Sequence, residues 1–180
     1  MMKWLKIKEE HLQQILEWRS SKDVTRYMYT DIPYDLDNQR KWHMSIKEDT
    51  NGFYWVIEYK GELIGYISIT DINWKHKSGY WNFYIGNNKY GMLAGFLGAY
   101  MYNFAFSSLP LNKLMGEVMA SNVGVRKMHS KQGAREIGYF EKHIQKNDQW
   151  HDIFLYEMTK EKWISKGSKF HKYIPDVEVE

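Results

Sequence analysis

Three stretches carry residue types that could do chemistry. The longest is Ile85 to Phe106, I-G-N-N-K-Y-G-M-L-A-G-F-L-G-A-Y-M-Y-N-F-A-F. It follows a strand-like run, opens on polar turn residues and glycines, and becomes an apolar helical segment. Strand, glycine-bearing turn and buried helix together let backbone N–H groups cradle a phosphate, and the helix N-terminus adds a favourable dipole. The second is Glu117, a carboxylate in the otherwise apolar run Lys113 to Met119. A buried carboxylate without a partner is costly, and desolvation brings such a group toward a range useful for proton transfer. The third is His129. Val125, Met128, His129 and Gln132 recur at i, i+3, i+4 and i+7, so His129 borders the packed face of a helix. Imidazole donates either as the neutral tautomer N–H or as imidazolium. Each has a plainer counterpart: a core helix with no ligand, a surface glutamate at a sheet edge, a half-exposed structural histidine. Tyr90 to Phe106 could also read as a short membrane span with Gly91 and Gly95 as a contact face. Asn103 within it, its minimal length and its charged amphipathic flanks argue against that.

The elements that must position these residues follow from periodicity and punctuation. Lys3 to Lys8 alternates as a strand, and Glu9 to Arg19 shifts to helical spacing. Asp23 is placed to cap a short second helix, and Asp35 or Asp37 a further one reaching Lys47, with Trp42 and Ile46 at i, i+4. Phe53 to Tyr59, Leu63 to Ile72 and Tyr80 to Ile85 read as three strands, the first two joined by a tight turn at Lys60-Gly61-Glu62. After the apolar helix, Leu109-Pro110-Leu111 leads to a strand over Lys113 to Met119. Asn122 caps a helix ending at Gly133. Arg135 to His143 and His151 to Met158 are two more strands around a polar turn, Gln145 to Gln149. The tail 160–180 is charged and aromatic without a clear pattern. Helices interleaved with mostly antiparallel strands predict an α+β (mixed α/β) three-layer fold of about seven strands, in one domain over 1–180.

Composition bounds the function. A hydrophobic fraction of 43% with 26% charged residues describes a soluble globular chain. A net charge of +3 suits an anionic ligand but is not the concentrated basic stripe of a nucleic-acid binder. With no Cys, disulfides, thiolate zinc sites and cysteine nucleophiles are excluded. No two of the 7 His stand at metal-ligand spacing on a helix, so no metal site is expected. P-loop, G-x-G-x-x-G and G-x-S-x-G motifs are missing. The start, M-M-K-W-L-K-I-K-E-E, lacks the pattern of a signal peptide, and a cytoplasmic protein with no membrane partner is the expectation.

The order of elements, sharpest from Gly79 to Gly133, resembles the GNAT superfamily of acetyl-CoA-dependent N-acetyltransferases. The second signature, N-x-x-[AS]-x-x-x-Y-x-K-x-G-[FA], is similar to Asn122-Val-Gly-Val125-Arg-Lys-Met-His129-Ser-Lys131-Gln-Gly133-Ala134, with His129 in place of Tyr. The phosphate turn, [QR]-x-x-G-x-[GA], aligns with Lys89-Tyr90-Gly91-Met92-Leu93-Ala94; Lys89 replaces Arg and Met92 replaces Gly. Met at a required positive φ would be strained, and Gly91 or Gly95 would then supply that conformation. The resemblance implies that acetyl-CoA is held by Ile85, Lys89 to Gly95, Asn122 and Lys131. It implies direct acetyl transfer to an amine in a ternary complex, with Glu117 as general base and His129 as general acid or thiolate hydrogen-bond donor.

Leu16-Glu17-Trp18-Arg19 and Tyr27-Met28-Tyr29 are similar to the sugar-nucleotide pocket of the family's pseudaminic acid branch. The implied acceptor is the 4-amino group of a UDP-4-amino-4,6-dideoxy sugar. Arg19 would hold a phosphate, and Met28, Trp42 and Tyr84 would line the pocket. Asn38-Gln39 stands where that branch would place a His. A protein N-terminus or a polyamine as acceptor, and a non-catalytic acetyl-CoA-binding module, are the alternatives. Assembly as a homodimer is left open.

Overall fold

The computed structural model describes residues 1–166 and 169–179. β1 (Met2–Lys6) leads through a 3-10 turn at Glu9–His11 into α1 (Leu12–Ser20) and α2 (Lys22–Thr25). α3 (Leu36–Glu48) follows, then the meander β2 (Phe53–Tyr59), β3 (Glu62–Asn73) and β4 (Ser78–Ile85). A 3-10 turn at Asn88–Leu93 runs into α4 (Ala94–Ser108), followed by β5 (Lys113–Met119) and α5 (Val123–Gln132). β6 (Arg135–Lys146), β7 (Gln149–Thr159), α6 (Lys160–Ser165) and β8 (Asp176–Val177) complete the fold.

The strands form one eight-stranded sheet in the order β6-β7-β5-β4-β3-β2-β1-β8. Most neighbours are antiparallel; β4 with β5 and β1 with β8 are parallel. The sheet exceeds the expected seven because the tail returns to pair with β1. The fold is therefore α+β, in three layers. Period-2 side chains divide the core. Trp55, Ile57, Ile67, Ile69 and Trp81 face the layer of α4 to α6. Val56, Tyr66 and Tyr84 face α1, α2 and α3.

α4 is buried on nearly every side, from Leu97 through Phe106. Among the described residues no helix is long and apolar enough to cross a membrane. Asn103, the polar residue in its middle, clamps the C-terminal segment. Its Nδ2 donates to the carbonyls of Phe170 (2.9 Å) and Tyr173 (2.8 Å), and its Oδ1 accepts from Trp163 Nε1 (2.8 Å). The tail that carried no pattern is thus held by hydrogen bonds to its main-chain oxygens and by its aromatic side chains: Trp163 is buried in the core, Phe170 stacks on it, and Tyr173 packs on Phe96 and Tyr100. Residues 167, 168 and 180 of that tail lie outside the described residues.

Caps refine the expected boundaries. Asp35, rather than Asp37, caps α3, accepting from the N–H groups of Asp37 and Asn38. Ser21, not Asp23, occupies the N-cap of α2. Asn122 Oδ1 accepts from Val125 N–H at 3.3 Å, and Gly133 closes α5 at φ +80°, a left-handed conformation that suits glycine. β6 and β7 are longer than expected and meet through Asn147-Asp148 alone, both at positive φ.

Candidate active site

The site is built where the sheet splits. β4 and β5 are paired only at Ser78–Lys113, Gly79–Leu114 and Tyr80–Met115. Beyond Tyr80 they diverge, and a wedge opens between Trp81–Ile85 and Gly116–Met119. A cavity of about 550 Å3 occupies it, lined on its two sides by Glu117 and His129, with Asn122, Arg19 and Met28 around it.

Glu117 faces the α1–α3 side. It is exposed, not buried as the apolar run around it suggested: its β5 neighbours Gly116 and Val118 take the inward positions and Glu117 points into the wedge. Its Oε2 accepts the O–H of Tyr29 at 2.6 Å. Burial, and then this carboxylate, push the Tyr29 phenol far up, so it stays a protonated donor.

His129 comes from α5 on the opposite face and is only 3% exposed. Its ring stacks on Tyr156 (4.7 Å between centroids) and meets Trp81 edge-on at 5.6 Å. Desolvation alone pushes its pKa down to about 4, so the ring is neutral at physiological pH. The imidazolium form of donation is thereby removed. Nδ1 is buried with no partner among the described residues. A Cβ at Gly116 would lie 3.3 Å from Cε1 and 3.4 Å from Nε2, so the ring packs closely over this glycine. An unpaired lone pair is cheaper to bury than an unpaired N–H, which favours Nδ1 bare and the proton on Nε2, beside β5.

The segment expected to cradle an anion differs from expectation in its backbone. Neither Gly91, Gly95 nor Met92 has positive φ. The segment is a 3-10 turn running into α4, so Met92 is unstrained there, and its side chain stands 91% exposed. Asn87 Oδ1 accepts from Lys89 N–H (3.2 Å) at the start of the turn. A Cβ at Gly91 or Gly95 would meet nothing within 4 Å, so the face beside both is open. Lys89 Nζ pairs with Glu62 Oε1 at 2.6 Å, and Tyr90 donates its O–H to the same oxygen at 2.7 Å. Ile85 ends β4, and Leu93 and Ala94 are half-buried at the α4 entry. Gln132 Nε2 donates to Gly95 O (2.9 Å), tying α5 to the first turn of α4. Lys131 is exposed on α5 and lines neither the wedge cavity nor the adjoining cavity beside Trp42 and Tyr84.

A second cavity, of about 480 Å3, adjoins the first through Arg19, Met28 and Asn82. It brings together four expected residues, Arg19, Met28, Trp42 and Tyr84. Tyr66 and Tyr84 stack at 5.2 Å and Trp42 approaches Tyr66 at 6.2 Å. Asn38 and the buried Gln39 also line it. Arg19 donates from Nη1 to Thr25 Oγ1 (3.3 Å) and from Nη2 to the carbonyl of Thr30 (2.9 Å). Burial lowers its pKa, yet a guanidinium stays charged at any physiological pH.

Sequence reasoning did not single out Tyr66, which lines the second cavity, nor the contact of Tyr29 with Glu117. The Tyr27-Met28-Tyr29 cluster was the available signal, but which tyrosine reaches Glu117, 88 residues away, depends on the fold. Among the described residues no three His, Asp or Glu side chains are grouped to hold a metal ion.

The family described as Acetyltransferase (GNAT) domain matches residues 5–135. Similar solved structures include the spermidine N-acetyltransferase from Vibrio cholerae in complex with CoA and spermine. Its TM-score is 0.84 at 18% identity, covering 91% of this chain and 98% of that one. A chimera of the Vibrio cholerae enzyme and hSSAT gives 0.82 at 20% identity over 91% and 98%. A dodecameric form of the Vibrio cholerae enzyme gives 0.77 at 17% over 93% and 98%. At these identities the likeness is one of fold.

Proposed function

Since the chain belongs to the GNAT acetyltransferase family, we propose that this acetyl-CoA-dependent enzyme acetylates the 4-amino group of a UDP-4-amino-4,6-dideoxy sugar, in pseudaminic acid biosynthesis. The observation that carries the acceptor class is Arg19. Its guanidinium stands between the two cavities, and the second is walled by Trp42, Tyr66 and Tyr84. Aromatic walls suit a base and sugar, and a fixed guanidinium fork suits a diphosphate.

The family fit of acetyl-CoA rests on the open face at Gly91 and Gly95, the α4 N-terminus and the unpaired β4 edge. In this reading the acyl–pantetheine arm lies along Trp81–Ile85 with Asn122 beside it in the wedge, the pyrophosphate meets the amides from Lys89 to Gly95, and Lys131 approaches it from the last turn of α5. The acceptor amine attacks the thioester carbonyl. Glu117 takes the amine proton, the C–S bond breaks, and the departing thiolate accepts a hydrogen bond from His129 Nε2–H. Transfer is direct. The backbone at Met92, which is not at positive φ, supports reading the altered turn as one that still presents its amides.

A polyamine acceptor is the second reading, favoured by the acceptor named for the similar solved structures and by Glu117 and Asp71 at the first cavity. Arg19 weighs against it. Two like charges at 4 Å repel by about 4 kcal/mol at an effective dielectric of 20, and the same pairing attracts a phosphate. The test is mass spectrometry of acetyl-CoA incubations with UDP-4-amino-4,6-dideoxy sugars and, separately, with spermidine. Acetylated sugar nucleotide without acetylspermidine is expected; acetylspermidine alone would sink the sugar assignment.

A further inference from the structure

The β6–β7 hairpin does more than extend the sheet. Asn147 and Asp148, at φ 51° and 58°, close it as a primed two-residue turn. Lys146, the residue before them, is only 9% exposed, although it is a lysine at a hairpin tip. Its ammonium donates to the carbonyls of Thr25 (2.5 Å) and Met28 (3.0 Å) and pairs with Asp31 Oδ1 at 2.8 Å. That is one acceptor for each of its three N–H bonds. Asn147 Nδ2 adds a bond to Asp31 Oδ2 (3.0 Å), and Thr25 Oγ1 donates to Asp31 Oδ1 (2.6 Å). Lys146, with Thr25 and Asn147, holds the Asp31 carboxyl well below the usual carboxylate range.

Burying an ammonium is costly unless every donor is satisfied, and an apolar residue avoids that cost altogether. The Asn-Asp turn closes the hairpin without help from a charge. What the lysine adds is the position of the segment Thr25–Asp31, which it grips at both ends. That segment carries Met28, shared by both cavities, and Tyr29, whose O–H meets Glu117. We propose that Lys146 is a positioning residue for acetyl transfer: with Asp31 it staples the Thr25–Asp31 loop to the β6–β7 hairpin, and so holds Tyr29 against Glu117 and shapes the acceptor end of the wedge. This rests on the reading of Glu117 as the amine-side group.

The experiment uses the full chain and the amine that the wild-type protein turns over, with CoA release followed while each substrate is varied. Lys146→Met is expected to lower kcat/KM for the amine tenfold or more while KM for acetyl-CoA stays within twofold. Asp31→Asn should lose in the same direction. The double variant should lose no more than the worse single one, because both changes break one staple. Lys146→Arg should recover part of the loss. Hydrogen exchange at residues 25–31 should quicken in Lys146→Met. Should that variant not fold, Lys146→Arg and Asp31→Asn carry the same comparison. Faster loop exchange with amine kcat/KM unchanged would overturn the proposal, as would equal losses for both substrates or additive losses in the double variant. Glu117→Gln, run alongside, keeps the outcomes apart: full activity there refutes the Glu117 role, whereas the Lys146 substrate split is read independently of it.

Discussion

At the scale of single residues, Glu117 and His129 differ in what burial does to them. Glu117 reaches the wedge with a tyrosine fixing one oxygen. Glu117→Gln should lower kcat by roughly 10²- to 10⁴-fold, the span of a lost general base, with KM for acetyl-CoA little changed; steady-state kinetics check it. His129 is buried, and its pKa of about 4 has a consequence for stability. Between pH 6.5 and 4 the unfolded chain protonates this imidazole and the folded chain does not. The unfolded state then binds more protons, so stability rises with pH. The contribution is fully present above pH 6.5 and is lost as pH falls through about 4, on the order of 3 kcal/mol in all. His129→Phe should flatten the fall of the melting temperature over that window and lower kcat by about 10²-fold at neutral pH. An unchanged kcat would refute the donor role, and an unchanged acid slope would refute the burial account. Helical spacing alone placed His129 at the packed face. The exposure of Glu117 was not legible, because an apolar strand beside a split sheet reads like one inside an intact sheet.

At the scale of elements, caps and turns were the readable part. Asn122 and Gly133 bound α5 as their chemistry dictates, and β5 runs over Lys113–Met119 as alternation predicts. At the α4 entry the turn into a helix was readable, but not its backbone conformation. Glycines suggested positive φ, but Gly91 and Gly95 are used for open space instead. That difference is testable. A Glu at position 95 would stand in the first turn of α4, where a negative charge favours the helix, and would face the proposed pyrophosphate. Gly95→Glu should therefore keep the melting temperature and raise KM for acetyl-CoA on the order of tenfold. The tail illustrates the opposite case, where no period was visible because the docking groups, main-chain oxygens and the scattered aromatics Trp163, Phe170 and Tyr173, do not recur at strand or helix spacing. Asn103→Leu would leave Phe170 O, Tyr173 O and Trp163 Nε1 without their partner. At roughly 1–3 kcal/mol for each orphaned group that stays buried, a lower melting temperature and earlier proteolysis after Ser165 are expected. Unchanged proteolysis would mean that the clamp is dispensable.

At the scale of the whole molecule, the sheet is two half-sheets, β8-β1-β2-β3-β4 and β5-β7-β6, joined by the short parallel seam of β4 and β5. Each half lines one side of the wedge: β4 with its free edge, and β5 with α5 through Glu117, Asn122 and His129. In the proposed reading the α1–α3 layer and the β6–β7 hairpin close the acceptor end through Arg19 and Lys146. No local pattern announces such a seam, since its residues alternate like those of any strand; only the crossover through α4 makes the pair parallel and lets it splay. A molecule bound in the wedge touches both half-sheets and so couples them. CoA at a hundred times its Kd should raise stability by about 2.7 kcal/mol, read as an upward shift in melting temperature. If the acyl–pantetheine arm lies along β4, amide exchange should slow together at Trp81–Ile85 and Gly116–Met119. Protection confined to the α4 N-terminus would place the cofactor outside the wedge, and Glu117 and His129 would then have no thioester between them.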